Sequence, residues 1–202
     1  VPPGRAELHK LAIVFDIGRA QVLNYLRNIY SKLQDRKKQL YIEELQRDGL
    51  KLGKNVAIVD DFFFDRAHCY LISIGDNTII APSVRLVAHD ASTKLYLGYT
   101  KFGKINIREN CFIGHSVTVL CGVTIGPNSI VGAGSIVTKD VPPGMVAVGA
   151  PAKVICTLEE YLAHHRVDKS QVFDDRYHIW NLDSGRRQEL LDAAERGGGY
   201  IV

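Results

Sequence analysis

Between residues 107 and 142 the chain reads IRENCFIGHSVTVLCGVTIGPNSIVGAGSIVTKDVP, and an aliphatic residue returns at every sixth position: Ile107, Ile113, Val119, Ile125, Val131 and Val137. No helix has that period, because helical faces repeat every 3.6 residues. The fifth position of each six is small or β-branched (Cys111, Val117, Val123, Ser129, Ser135, Val141), and glycine follows the aliphatic residue at Gly114, Gly126 and Gly132. Such hexads belong to solenoids. Each short strand buries one aliphatic side chain, and the small residue with its glycine lets the chain turn a tight corner. Three hexads close one triangular coil, so coils 74–91, 107–124 and 125–142 are expected to stack Ile74 on Ile107 on Ile125. A second column joins Ile80, Ile113 and Val131, and a third Leu86, Val119 and Val137, with coils about 4.8 Å apart as in any parallel sheet. The expected fold class is β, a parallel β-helix flanked by helical segments.

The repeats begin at Leu52-Gly53 and Ile58 and break at DDFFFDRAHCYL. A second interruption follows Leu86: the next in-register position holds Ser92, and the pattern returns only at Ile107. Residues 92–103 are therefore expected to leave the coil as a loop, and loops of that length inside a regular solenoid are usually functional or partner-contacting. This predicts three segments: an N-terminal helical arm over 1–50, the β-helix over 51–155 and a helical tail over 156–202. Apolar residues from Val22 to Leu45 follow an approximate helical spacing that ends at Asp48-Gly49, which suits a cap over the open end of a solenoid. In the tail, Thr157-Leu158-Glu159-Glu160 is a capping box that opens one helix, and a second is expected from Gly185 to Arg196. The aromatic FDDRYHIW run is not low complexity and is expected to pack on a surface that the sequence does not identify.

Composition narrows the function. A net charge of +3 with interspersed signs offers no basic face for nucleic acid. The longest apolar runs, such as Leu11 to Phe15, are too short for a membrane span or a signal core, which leads to an expected cytoplasmic location. Cys69, Cys111, Cys121 and Cys156 show no CxxC spacing and read as reduced core or strand residues.

The run IGDNTIIAPSVRLVAHD, the loop, and then GKINIRENCFIGHSVTVL through GAGSIVTKDVPPG to GAPAKVI resembles the hexapeptide-repeat acetyltransferases of the galactoside, maltose and virginiamycin type. It is most similar to the sugar and polysaccharide O-acetyltransferases among them. The resemblance implies a left-handed β-helix, an exception to the usual right-handed crossover, and a homotrimer with active sites between subunits. It implies acetyl-CoA as co-substrate, a saccharide acceptor and no metal. His89, placed where the coil breaks into the loop, matches the catalytic histidine. The chemistry needs such a base, because a sugar hydroxyl is scarcely ionised at neutral pH. Asp90 and His115 are candidate supports, and the ring of His89 is expected to be oriented by a backbone carbonyl or an acid such as Asp60 or Asp61. His68 is a weaker alternative base. His115 departs from the small or hydroxyl residue usual near the thioester in these enzymes.

By the same resemblance, Ala133, Gly134, Thr138 and Lys139 match contacts along the CoA arm, and Lys153 matches a basic residue near its phosphates. Asp60, Asp61, Phe63, Tyr96 and Tyr99 are candidates for the acceptor side, where tyrosines suit stacking on sugar faces. Acetyl transfer to an amino sugar remains an alternative, since the same base serves both nucleophiles. A zinc hydrolyase on the same scaffold would need three convergent imidazoles, whereas His68, His89 and His115 are scattered in the sequence. A non-catalytic solenoid scaffold is the remaining reading.

Overall fold

The computed structural model describes residues 25–26, 29–166, 172–178 and 181–201. The chain divides into two units, Val1–Ile155 and Cys156–Val202.

The first unit is a three-sided coil of short parallel strands, and its columns follow the hexads. On one face, Leu52, Ile74, Ile107 and Ile125 are successive partners along β1 (Lys51–Leu52), β4 (Ile72–Ile74), β9 (Ile105–Ile107) and β12 (Thr124–Ile125). On the second, Ile58, Ile80, Ile113, Val131 and Ala147 stack along β2 (Ala57–Ile58), β5 (Ile79–Ile80), β10 (Phe112–Ile113), β13 (Ile130–Val131) and β15 (Met145–Val148). The third joins Phe64, Leu86, Val119 and Val137 on β3 (Phe63–Phe64), β6 (Arg85–Val87), β11 (Thr118–Leu120) and β14 (Ile136–Val137). Most of these column residues are fully buried, and each such aliphatic side chain contributes about 1.5–3 kcal/mol relative to exposure. The small fifth-position residues are buried too, and the hydroxyls of Ser129 and Ser135 are satisfied by the carbonyls of Pro142 (3.0 Å) and Gly132 (2.6 Å).

Phe64 corrects the expectation that the repeat breaks at residue 60. It fills the aliphatic slot of the first coil, fully buried and paired with Leu86. The true interruption is the short 3-10 segment Arg66–Leu71 that follows. The second interruption is a hairpin-like excursion. Its base is the antiparallel pair β7 (His89–Asp90) and β8 (Lys101–Phe102), and its tip carries the short helix α2 (Lys94–Leu97).

One corner of the triangle is built on left-handed asparagines. Asn55, Asn77, Asn110 and Asn128 all have φ between 54° and 57°, a conformation asparagine tolerates better than most residues. Their amides form a ladder from coil to coil at 3.2, 3.2 and 3.1 Å. Asn110→Ala removes two rungs and leaves a Cβ residue without local compensation at positive φ, with an expected loss of about 1–2 kcal/mol in urea unfolding. Asn110→Gly is expected to lose less, because glycine relieves the backbone term.

A helix, α1, over residues 29–47 precedes the coil and, as expected, stops at Asp48-Gly49, where Leu50 N–H bonds the Leu45 carbonyl at 2.9 Å. Leu45 and Leu50 are part of the buried core with Phe64 and Cys69, so the end of this helix covers the first coil. Burial pushes the thiols of Cys69 and Cys111 up, which fits core residues rather than nucleophiles. All four cysteines are free.

In the second unit, the capping box at Thr157 and Glu160 opens α3 (Leu158–His164). Asp183 caps α4 (Ser184–Glu195), one residue earlier at each end than the sequence reading. Phe173 and Tyr177 pack ring to ring at 4.9 Å. Ile179 and Trp180 lie outside the described residues, as does the start of the N-terminal arm.

Candidate active site

His89 lies in β7, two residues beyond the end of β6, where the third face of the coil gives way to the excursion. Its Nδ1 hydrogen-bonds Oδ2 of Asp65, a residue not singled out in the sequence reading. Asp65 is held in place by the ladder itself, since its N–H donates to the Leu86 carbonyl at 2.9 Å as the continuation of β3. The carboxylate side chain is only 3% exposed, whereas that of His89 is 37% exposed. The imidazole thus stands at the surface on a buried carboxylate.

Burial by itself would push the Asp65 carboxyl up. The hydrogen bond and charge of His89, and then those of His68, outweigh it and hold the group below its ordinary value. An ionised carboxylate can only accept, so the proton of the neutral imidazole sits on Nδ1. Nε2 is left with its lone pair.

The ring lines a cavity of about 310 Å³ together with Val87, Asp90, Lys101, Leu120, Cys121 and Thr138. Thr138 comes from the last full coil, so the structure brings the expected base and one expected CoA contact into one cleft. Lys101 and Cys121 line it as well and were not anticipated.

Residues 104–139 match the repeat described as the bacterial transferase hexapeptide, six repeats. Over those residues the solenoid carries the repeat found in bacterial hexapeptide transferases. Its coils are those of the left-handed parallel β-helix expected from the sequence. The chain is 42% identical over 114 residues to a galactoside O-acetyltransferase of Escherichia coli, a match covering 55% of this chain and 52% of that protein. A solved galactoside acetyltransferase in complex with coenzyme A is 37% identical, with 59% of this chain and 60% of that one covered at a TM-score of 0.47. A maltose O-acetyltransferase from Clostridium difficile 630 is 29% identical, covering 57% and 73% at a TM-score of 0.46. The chain spans about half the length of the first curated relative it matches.

Within this hexapeptide-repeat fold several expected supports for His89 fall elsewhere. Asp90 does not orient the ring. It accepts the Ser92 N–H at 2.9 Å and so closes the turn into the excursion, and that bond holds its carboxyl below the ordinary value. Asp60 pairs with Lys38 at 2.9 Å and Asp61 accepts the Ser83 hydroxyl at 2.6 Å, so neither is the partner of His89. Asp60 and Asp61 instead line a separate cleft of about 520 Å³ with Tyr30, Lys37, Lys38 and Tyr41. His115 is an exposed residue of a corner turn rather than of a strand, its Nδ1 bonded to the Ser116 hydroxyl at 2.9 Å, and it does not line the His89 cavity.

Ala133 and Gly134 form the corner one coil above His115, where Gly134 N–H donates to the His115 carbonyl at 2.8 Å. Lys139 and Lys153 are exposed, the latter at the start of β16 (Lys153–Thr157). Phe63, Tyr96 and Tyr99 are exposed and outside the lining of the His89 cavity. His68 overturns the view that the histidines are scattered, because its ring centroid lies 4.6 Å from that of His89.

Asp65, His68 and His89 are, among the described residues, the group whose ligand-type atoms lie within 4.8 Å of one another. A zinc ion bound at about 2.0–2.1 Å would hold its ligand atoms about 3.3 Å apart. The direct hydrogen bond between Asp65 and His89 closes that space, so the arrangement fits a proton-transfer pair.

Proposed function

We propose that the chain transfers the acetyl group of acetyl-CoA to a hydroxyl of a sugar or saccharide unit, with His89 as general base. The observation that carries this reading is the surface imidazole whose Nδ1 is committed to buried Asp65, leaving Nε2 free in a cleft shared with Thr138. The name of the Escherichia coli relative supports the substrate class.

In this mechanism the acceptor hydroxyl gives its proton to Nε2 as its oxygen attacks the thioester carbonyl carbon. Asp65 stabilises the imidazolium that forms. Backbone N–H groups at the mouth of the cleft are the simplest donors for the tetrahedral oxyanion. Collapse of that intermediate breaks the C–S bond, and the proton on Nε2 passes to the CoA sulfur, restoring the base. Thr138 contacts the thioester end of the CoA arm, which runs over the open corner at Ala133 and Gly134 with Lys139 and Lys153 toward the phosphates, where a lysine acts as a point charge. The exposed excursion aromatics Tyr96 and Tyr99, with Phe63, supply the acceptor side in a homotrimer whose sites lie between subunits. Among the described residues no helix is long and apolar enough to cross a membrane.

The test is release of free thiol from acetyl-CoA in the presence of a panel of sugars, nucleotide sugars and amino sugars, followed by mass spectrometry of the product. An O-acetylated saccharide is expected. An N-acetylated product would move the reaction to amines, and no acceptor-dependent thiol release would sink the assignment.

A further inference from the structure

His68 is the part of this cluster that the transfer mechanism leaves unused. It sits in the 3-10 segment directly after Asp65, and its own N–H closes a turn onto the Asp65 carbonyl at 3.1 Å. The backbone leaves helical geometry at this residue, with φ −131° and ψ 26°. That kink carries the ring back over the Asp65 side chain. Nδ1 of His68 lies 3.5 Å from Oδ1 of Asp65, the oxygen His89 does not use. The same Nδ1 is buried without a hydrogen-bond partner, and a buried polar atom left so is costly.

At 3.5 Å the approach is longer than a formed hydrogen bond. Catalytic hydrogen bonds are often long in the empty enzyme and tighten when the site is charged or filled. Other polar and titratable groups lie near the pair. Tyr70 lies behind His68 with its ring centroid at 6.1 Å, Arg66 is turned to Glu44 at 3.3 Å, and Asp90 and Lys101 share the cavity of His89. Among the described residues none of these hydrogen-bonds the Asp65 carboxylate, whose Oδ2 is taken by His89.

We infer that His68 is a positioning residue for the base, holding the second oxygen of Asp65 while its ring packs against His89. A buried carboxylate anchored through one oxygen can rotate about its Cβ–Cγ bond, and rotation would let the imidazole of His89 tilt or exchange tautomer. Anchored through both oxygens, it presents a fixed acceptor to Nδ1–H and keeps the lone pair on Nε2. The orienting partner of a catalytic imidazole normally needs such support of its own. The activity readout rests on the acetyl-transfer reading, but the geometric claim does not.

The test compares His68→Asn with His68→Phe. The asparagine amide can place an N–H where Nδ1 stands, whereas phenylalanine keeps the ring and its packing but cannot donate. In protein carrying isotope-labelled histidine, NMR of the His89 imidazole is expected to show the Nδ1–H tautomer in the parent and in His68→Asn, and a tautomer mixture in His68→Phe. In parallel, kcat/KM is expected to fall about tenfold to a hundredfold in His68→Phe, the loss that goes with one hydrogen bond to a charged group, and to stay within about threefold in His68→Asn. Should Phe prevent folding, judged by circular dichroism, His68→Leu carries the same comparison. An unchanged His89 tautomer in the non-donating variant would overturn the inference whatever the activity shows. So would one zinc per chain that is lost in that variant, which would make the cluster a metal centre.

Discussion

Asp65→Asn is expected to lower kcat about 10³–10⁴-fold with little change in the β-helix, because the amide can donate to Nδ1 and so move the ring proton to Nε2. The base then faces the acceptor hydroxyl with an N–H rather than a lone pair. In the proposed transfer the variant also lacks the buried charge that stabilises the imidazolium. His89→Ala is expected to lose a similar factor, since it removes the base itself. The diagnostic measurement is the double variant. If Asp65 works only through His89, the pair lost together costs no more than His89→Ala alone, whereas a packing role would let the two losses multiply.

Stability separates the two roles further. The folded-state pKa of Asp65 is depressed, so its contribution to folding is present above the unfolded value of about 3.9 and is lost as pH falls through the folded value. Asp65→Asn lacks that term. The parent is therefore expected to be the more stable of the two at neutral pH, and the gap in urea midpoint to narrow as the pH drops below about 4.

Asp65 also marks how far the sequence can be read. The three columns were legible because the repeat forces one inward residue per hexad, and the ladder pairs Ile74, Ile107 and Ile125 accordingly. The excursion was legible as a missing register position at Ser92. Phe64 was not, because an aromatic residue stood in an aliphatic slot and the count was broken there. Losing Phe64 hid Asp65. With Phe64 paired to Leu86, the next residue runs beside Val87, two positions before His89, although Asp65 and His89 are 24 residues apart in sequence. A carboxylate next to the histidine in sequence was the natural first suspect, yet Asp90 points into its own turn and bonds Ser92. Strand neighbours in a solenoid are a whole coil apart in sequence, so the partner of a side chain is found by counting coils. His68 was visible only as a weaker alternative base, because the backbone kink that sets it beside Asp65 has no sequence signal.

The glycines after the column residues serve the close approach of neighbouring coils rather than the turn. A tight corner would call for positive φ, but Gly114 does not have it. A Cβ added there would instead lie 2.7 Å from the Ala133 nitrogen and 2.8 Å from the Val131 oxygen, both backbone atoms of the adjacent coil. Gly134 is the opposite case, with φ +70° and nothing within 4 Å of an added Cβ. Gly114→Ala must push two coils apart where the Gly114 N–H bonds the Val131 carbonyl at 2.8 Å, and no flexible side chain is there to yield. Its expected cost is about 3 kcal/mol, near the upper end for overpacking. Gly134→Ala pays only the backbone term, about 1–2 kcal/mol. Urea unfolding of both variants decides between the two uses of glycine: equal losses would mean that Gly114 is a turn residue after all. A larger loss at Gly114 would mean that the six-residue period is enforced by how closely one coil lies on the next.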